Sequence, residues 1–206
     1  MSHNHCRPII VDLCLALAAA ILLTSCARSL PVHYYQLSTQ TEDRALAKFP
    51  VPSEATIGLG PVRLPEYLDR PQIVSRTSAN RLTLSDQHRW AEPLAENLPR
   101  VLAEDFAALL GTDRILRHPW DRDRQVDCQI SLEVLEFEGG VDGTASLSAR
   151  WQVIGKDGQL LLTEQRSSFT ITATSQGQEA MTVALSQGVS RLAREIAAAL
   201  PPLLAQ

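Results

Sequence analysis

The 206-residue sequence has little of what usually identifies a nucleic-acid-binding or disordered protein. Its formal net charge is −4, and no basic stripe runs through it, so it is not typical of nucleic-acid binding. For the same reason we do not expect it to adhere electrostatically to an anionic lipid leaflet. Hydrophobic residues make up 45% and charged residues 20%, which is typical of a folded globular domain and excludes a disordered chain.

Sequence motifs for catalysis and for metal binding are also absent. There is no Gly-x-x-x-x-Gly-Lys-Ser/Thr phosphate loop and no Gly-x-Ser-x-Gly nucleophile elbow. The histidines at His33, His88 and His118 lack the spacing of metal ligands, and we expect them to be solvated or structural. The sequence therefore predicts a protein that is not an enzyme and that holds neither a metal nor a cofactor.

One dense group of carboxylates is a candidate catalytic site, because paired carboxylates can act as a general acid and base. Glu133, Glu136 and Glu138 lie within six residues of each other. Strand geometry puts Glu133 and Glu136 on opposite faces unless a bulge intervenes. We expect a solvated strand edge here rather than a catalytic pair.

The part of the chain that follows the leader contains little cysteine, although the sequence has four. Cys6 and Cys14 lie in an apolar leader and Cys26 ends it, so only Cys128 remains in the rest of the chain. No intramolecular disulfide is then available, even in an oxidising compartment. Cys128 falls on the apolar side of a predicted strand, which favours a small buried hydrophobe over a reactive thiol.

The leader is typical of a bacterial lipoprotein signal peptide. An apolar run from about Pro8 to Leu22 follows Arg7 and ends at Leu23-Thr24-Ser25-Cys26. A run of about 15 residues is shorter than the roughly 20 that span a bilayer, although a short uncleaved membrane helix is the alternative. We expect residues 1–25 to be removed and the Cys26 thiol to carry a covalent diacylglycerol lipid.

The residues after Cys26 indicate where the anchor holds the protein. Residue 27 is alanine rather than the aspartate that retains many lipoproteins at the inner membrane, which favours the periplasmic face of the outer membrane. A strand-like segment begins at His33, so residues 26–32 form a short lipidated tether. At roughly 3.5 Å per residue this tether spans little more than 20 Å. We therefore expect the domain to lie close to its membrane.

Residues 33–206 are predicted to form a single periplasmic α+β domain. The clearest strand runs from Val126, where apolar and polar residues alternate until a phase change after Val134 indicates a bulge. Helical periodicity favours one helix that Gly111 ends and a second over about Gln178 to Leu200. We expect an antiparallel sheet with these two main helices packed on one face.

Two sequence clusters are unusual in a chain with no evident catalyst. The first is Gly58-x-Gly60-Pro61-Val62-x-Leu64-Pro65-x-Tyr67-Leu68-Asp69-Arg70-Pro71, and the second is Arg89-Trp90-Ala91-Glu92-Pro93-Leu94 followed by Arg100-Val101-Leu102. With the lipidation motif at Cys26, they make the chain resemble the ABC-type transport auxiliary lipoprotein family, also called the paraquat-inducible protein C family. Pro99 departs from this pattern, and we expect it to kink or delay the first main helix.

The resemblance implies a function as well as a fold. It implies a non-enzymatic partner of a mammalian-cell-entry (MCE) domain protein, whose oligomeric conduit moves phospholipids or other apolar molecules between the inner and outer membranes. The protein would dock that conduit at the outer membrane and support envelope integrity. A ring-shaped conduit would favour a homo-oligomer by symmetry matching. The alternative function is a lipid-binding lipoprotein that carries a lipid in a pocket between sheet and helices.

The cluster residues have two interpretations. They could contact the partner directly, since Arg, Tyr and Trp are favoured at interface hot spots, and the candidates are Tyr67, Asp69, Arg70, Arg89, Trp90 and Glu92. They could instead hold the fold. In that case Arg89 and Glu92 would form a surface ion pair, and Trp90 would fill the core. Asp69 and Arg70 would then cap a turn.

Overall fold

The computed structural model describes residues 30–40, 49–121 and 123–205. The predicted signal peptide, the lipidation site at Cys26 and most of the predicted tether lie outside the described residues. Chain contacts group Val32–Gln206 into one compact unit. Within the part of the chain that the structure describes, no helix is long and apolar enough to cross a membrane.

The described residues of this unit form eight strands and three α-helices. The strands are β1 His33–Tyr35, β2 Ile57–Arg63, β3 Gln72–Ser78, β4 Arg81–Trp90, β5 Ile115–Arg117, β6 Cys128–Gly140, β7 Thr144–Gly155 and β8 Leu160–Thr172. The helices are α1 Leu94–Leu110, α2 Gln178–Ala199 and α3 Pro201–Leu204, and a 3-10 helix spans Glu66–Leu68. The predicted α+β class is confirmed.

The sheet is mixed, whereas the sequence led us to expect an antiparallel one. Antiparallel pairing joins β3 to β4, β6 to β7 and β7 to β8. Parallel pairing joins β1 to β4, β2 to β5, and both β2 and β3 to β6. The antiparallel pairs are the hairpins, which short turns impose locally. The parallel pairs join strands that are distant in the sequence, and hydrophobic periodicity carries no information about such pairing.

Strand β6 organises the sheet because it is paired along both of its edges. One edge pairs with β7 over nearly its whole length. The other edge pairs first with β2, beginning at Ile57 opposite Cys128, and then with β3, where Ser75 lies opposite Gly139. The predicted bulge is confirmed, since the β6–β7 register shifts between Val134 and Glu136. The strand order from edge to edge is therefore β1-β4-β3-β6-β7-β8, with β2 and β5 beside the first half of β6.

Helices α1 and α2 pack against each other and against the sheet, around a core of buried apolar side chains. They are also joined by a buried hydrogen bond, which Ser190 donates to Asp105 across 2.8 Å. Helix α1 includes Pro99 in its interior, so the proline does not delay the start of the helix as the sequence led us to expect. Gly111 ends the helix in the left-handed conformation with φ 70°, as predicted.

The end of α2 and the state of Cys128 both follow the sequence prediction. Helix α2 ends at Ala199, close to the predicted Leu200, and α3 begins at Pro201, because proline is well suited to the first turn of a helix. Cys128 is fully buried, and burial raises the pKa of its thiol to about 12. The interpretation of Cys128 as a small core residue is confirmed.

Candidate functional site

The two sequence clusters meet in space. The backbone N–H of Trp90 donates a hydrogen bond to the carbonyl of Pro71 across 2.8 Å, and Gln72 of β3 pairs with Arg89 of β4. The end of the first cluster therefore lies directly beside the start of the second. We call this region, residues 67–72 together with 89–92, the cluster corner.

Trp90 holds this corner to the core. Its side chain is 6% exposed, and its ring lies 6.2 Å from that of Phe137 on the bulged strand β6. Of the two interpretations weighed for Trp90, the core one is confirmed, since a ring this buried offers almost no surface to a partner. Side chains alternate along a strand, so Arg89 projects from the opposite side of β4.

Glu92 joins three segments through its carboxylate. Its Oε1 atom accepts hydrogen bonds from Arg100 Nη2 at 2.8 Å, from Gln36 Nε2 at 2.8 Å and from Asn97 Nδ2 at 2.5 Å. The bond from Arg100, followed by that from Gln36, lowers the pKa of Glu92. The ion-pair partner of Glu92 is thus Arg100, eight residues further along the chain, and not Arg89 as the fold-holding interpretation had it.

Asn97 is a structural residue that the sequence analysis missed. It is fully buried on α1, and its Oδ1 accepts a hydrogen bond from the backbone N–H of Leu37 at 2.8 Å. The segment after β1 is thereby tied to the start of α1. One feature of the sequence could have revealed this role. Asn97 is a polar residue between Leu94 and Leu98, at a position where the helical periodicity favours an apolar one.

Tyr67 packs over an ion pair between a buried glutamate, Glu138, and a half-buried arginine, Arg76. Glu138 is 2% exposed and binds the guanidinium of Arg76, so the expectation of a solvated carboxylate edge is wrong for Glu138. The physical reason is that the bulge after Val134 turns Glu138 toward β3. Burial, and next the charge of Glu138, raise the pKa of Tyr67 to about 12. Tyr67 also donates a hydrogen bond to the carbonyl of Leu135 across 3.4 Å.

Arg70 and Arg89 are the two cations of the corner, and both are half-buried. The Nε atom of each is buried and has no hydrogen-bond partner among the described residues. No ion pair of either arginine occurs in the described ranges either. Asp69 ends the 3-10 helix through its backbone N–H, which bonds to Glu66 O at 3.2 Å, and its side chain is exposed. Because both side chains are only half-buried and neither forms an ion pair among the described residues, the two arginines are candidates for contact with an acidic or carbonyl-rich partner.

The outer edge of the sheet beside this corner is β1. Tyr34 pairs with Arg89 across the parallel β1–β4 ladder and is 64% exposed. On the other face the rings of His33 and His88 stack at 5.7 Å, and Tyr35 Oη lies 2.9 Å from His88 Nδ1. These two histidines have structural contacts, as the sequence analysis expected.

The lipid-carrier alternative predicts a pocket between the sheet and the helices. A cavity of about 450 Å³ lies between β1 and the start of α2, bordered by Tyr34, Tyr35, Glu179 and Val183 among others. It is open to solvent, and its polar lining is typical of a surface groove rather than of an enclosed acyl-chain pocket. The lipid-carrier alternative therefore gains no specific support from this geometry and stays a prediction.

Comparison with known proteins gives a family match and several relatives. The sequence model of the ABC-type transport auxiliary lipoprotein component family matches residues 35–197. The intermembrane transport lipoprotein PqiC of Escherichia coli K12 is 25% identical over 145 residues, which are 69% of this chain and 74% of that protein. PqiC of Shigella flexneri matches over the same shares of both chains at the same identity.

Solved structures share the fold. Protein XCC0632 from Xanthomonas campestris has a TM-score of 0.69 at 14% identity, over 84% of this chain and 96% of that chain. A crystal structure of an uncharacterized protein has a TM-score of 0.67 at 22% identity, over 82% of this chain and 97% of the other. At these identities the likeness shows the fold alone.

Proposed function

Because the chain belongs to the ABC-type transport auxiliary lipoprotein component family, we propose that it is a lipoprotein that docks an MCE-type conduit at the outer membrane. The family match covers both sequence clusters and nearly all of the folded domain. It is the observation that carries the proposal. In this role the protein is a non-enzymatic adaptor, and the molecules that pass along the conduit are phospholipids or other apolar compounds.

The anchor and the tether support this assignment. Thioether diacylation of Cys26 contributes about 0.8 kcal/mol per buried methylene group, so two chains hold the protein durably. The alanine at position 27 favours the outer membrane over the inner one. Since E. coli PqiC is named an intermembrane transport lipoprotein, transport between the two membranes is the function we extend to this chain.

The cluster corner is the proposed docking surface for the conduit. Arg70 and Arg89 present guanidinium groups without acid partners among the described residues, and Asp69 and Tyr67 lie beside them. Trp90 and Glu92 act indirectly, by holding the corner to the core and to α1. Arginine is favoured at hot spots because it combines charge, planarity and five donors.

Capture of the MCE protein by the full-length acylated lipoprotein tests this function. Loss of the anchor in Cys26→Ala should reduce co-purification from membranes, while Cys128→Ala removes a thiol and keeps the anchor. If Cys26→Ala captures the conduit and supports envelope integrity as well as the parent protein, the anchoring argument fails.

Charge reversal tests the docking surface separately. Arg70→Glu or Arg89→Glu should weaken conduit binding by roughly ten-fold or more, equivalent to about 1.4 kcal/mol. Arg81→Glu is the matched control, because Arg81 is exposed at the tip of the β3–β4 hairpin. Equal binding by all three variants would exclude the cluster corner as the contact. Phospholipid retained by the purified protein in native mass spectra would instead favour the lipid-carrier function.

A further inference from the structure

Three exposed large apolar side chains lie at the β1 edge of the sheet, whereas Leu84, Val141 and Leu160 are exposed singly elsewhere among the described residues. Val32, Tyr34 and Val183 are 38%, 64% and 39% exposed, respectively. Val32 lies just before β1 and Tyr34 lies within it, and Tyr34 and Val183 border the same open cavity. We call this surface, residues 32–35 together with Val183, the β1 edge.

The position of this edge in the chain links it to the membrane. Only five residues separate Cys26 from Val32, so an acylated Cys26 keeps the β1 edge within roughly 20 Å of the lipid surface. The opposite edge of the sheet is β8, five strand spacings away, which is about 24 Å at about 4.8 Å per spacing. The β1 edge is therefore the part of the sheet that the anchor holds nearest to the bilayer.

The chemistry of the edge matches the headgroup layer better than the hydrocarbon core. Tyr34 has an apolar ring and a polar hydroxyl, the combination that concentrates where lipid meets water. His33 and Glu179 border the same cavity and would stay hydrated at headgroup depth. Val32 and Val183 add apolar surface that shallow insertion would bury.

We propose that the β1 edge is a second, non-covalent membrane contact, which rests in the phospholipid headgroup layer and fixes the orientation of the domain. This inference rests on the proposed function, since it requires acylated Cys26. Arg89 pairs with Tyr34 across the β1–β4 ladder, so the cluster corner adjoins the membrane-facing edge. A conduit docked at the cluster corner would then reach the bilayer next to the β1 edge, where the domain rests on the lipid surface.

Spin-label accessibility tests the contact on the full acylated protein in vesicles of phosphatidylethanolamine and phosphatidylglycerol. Labels are attached at Tyr34→Cys, Val183→Cys and the control Leu160→Cys, on β8, where the parent leucine is 51% exposed. Cys128 is buried and Cys26 is acylated, so labelling is confined to the new thiol. Accessibility to a water-soluble nickel reagent should be about five-fold lower at positions 34 and 183 than at 160, as for groups at headgroup depth.

A second pair of variants tests causation. Tyr34→Glu should raise nickel accessibility at the Val183→Cys label about two-fold, because a carboxylate is disfavoured at the lipid surface. Leu160→Glu, at the opposite edge, should leave it unchanged. An equal effect of both substitutions would overturn the proposal.

The remaining outcomes are equally decisive. Equal accessibility at positions 34, 183 and 160 overturns the contact, even if the conduit is still captured and the proposed function stands. Spin–spin broadening at position 34 would assign the edge to a second copy of the chain, and shielding only after the conduit protein is added would assign it to that partner. Failure of the protein to sediment with vesicles would overturn the anchor and this proposal together.

Discussion

The side-chain oxygen of Asn97 accepts a hydrogen bond from the backbone N–H of Leu37 across 2.8 Å, and both residues are buried. The same amide donates to Glu92, which also binds Arg100 and Gln36. One asparagine therefore connects the segment after β1, the cluster corner and the first turns of α1.

Asn97→Ala should destabilise the domain by about 1–3 kcal/mol, because the N–H of Leu37 would be left buried without an acceptor. Urea unfolding followed by tryptophan fluorescence measures this change. Asn80→Ala is the control, since Asn80 is exposed in the β3–β4 turn. Equal unfolding free energies for the two variants would contradict a structural role for Asn97.

The ion pair between Arg100 and Glu92 should make stability depend on pH. Arg100→Gln should cost about 1 kcal/mol or less at pH 7, because both side chains are about one-third exposed. Hydrogen bonding lowers the folded-state pKa of Glu92 from its ordinary value of 4.5. The contribution is therefore complete above the unfolded-state pKa and is lost as the pH falls through the folded-state pKa.

Urea unfolding of the parent protein and Arg100→Gln at a series of pH values checks this dependence. The difference in unfolding free energy should shrink as the pH is lowered below 4.5. Arg81→Gln, which removes an exposed charge at the hairpin tip, should give a small and nearly constant difference. A difference in unfolding free energy between the parent protein and Arg100→Gln that grows as the pH falls would contradict this prediction.

Gly58 should not tolerate a larger side chain, because a Cβ atom there would lie 2.6 Å from the ring of Trp120. Gly58→Ala should cost about 1–3 kcal/mol through overpacking. The double variant Gly58→Ala with Trp120→Ala should lose less than the sum of the two single variants, because the clashing ring is gone. Additive losses in thermal or urea unfolding would exclude this contact as the cause.

The Cys128 thiol should be unreactive in the folded protein. Burial raises its pKa from 9.0 to about 12, which lowers the thiolate fraction near neutral pH by roughly a thousand-fold. A chromogenic disulfide reagent at pH 8 should therefore modify it only after denaturant is added. Rapid modification of the native protein would show that β6 opens readily at its first residue.

Several elements could be predicted from the sequence because their signals are local. Alternation along β6 predicted the strand and its bulge near Val134, and glycine at position 111 predicted the end of α1. The length of β4 is not visible in the local pattern. The strand runs from Arg81 through Trp90 because pairing with β1 and β3 extends it.

The sequence by itself determined the family, the α+β class, the main strands and helices and the buried state of Cys128, because each depends on neighbouring residues or on a continuous motif. Only the tertiary structure decided that the two clusters meet, that Glu92 binds Arg100 and Asn97, that Glu138 is buried against Arg76, and that β1 pairs in parallel with β4. Most of these relationships join residues tens of positions apart. Their energies come from burial and pairing that exist only once the sheet has assembled, so no local pattern encodes them.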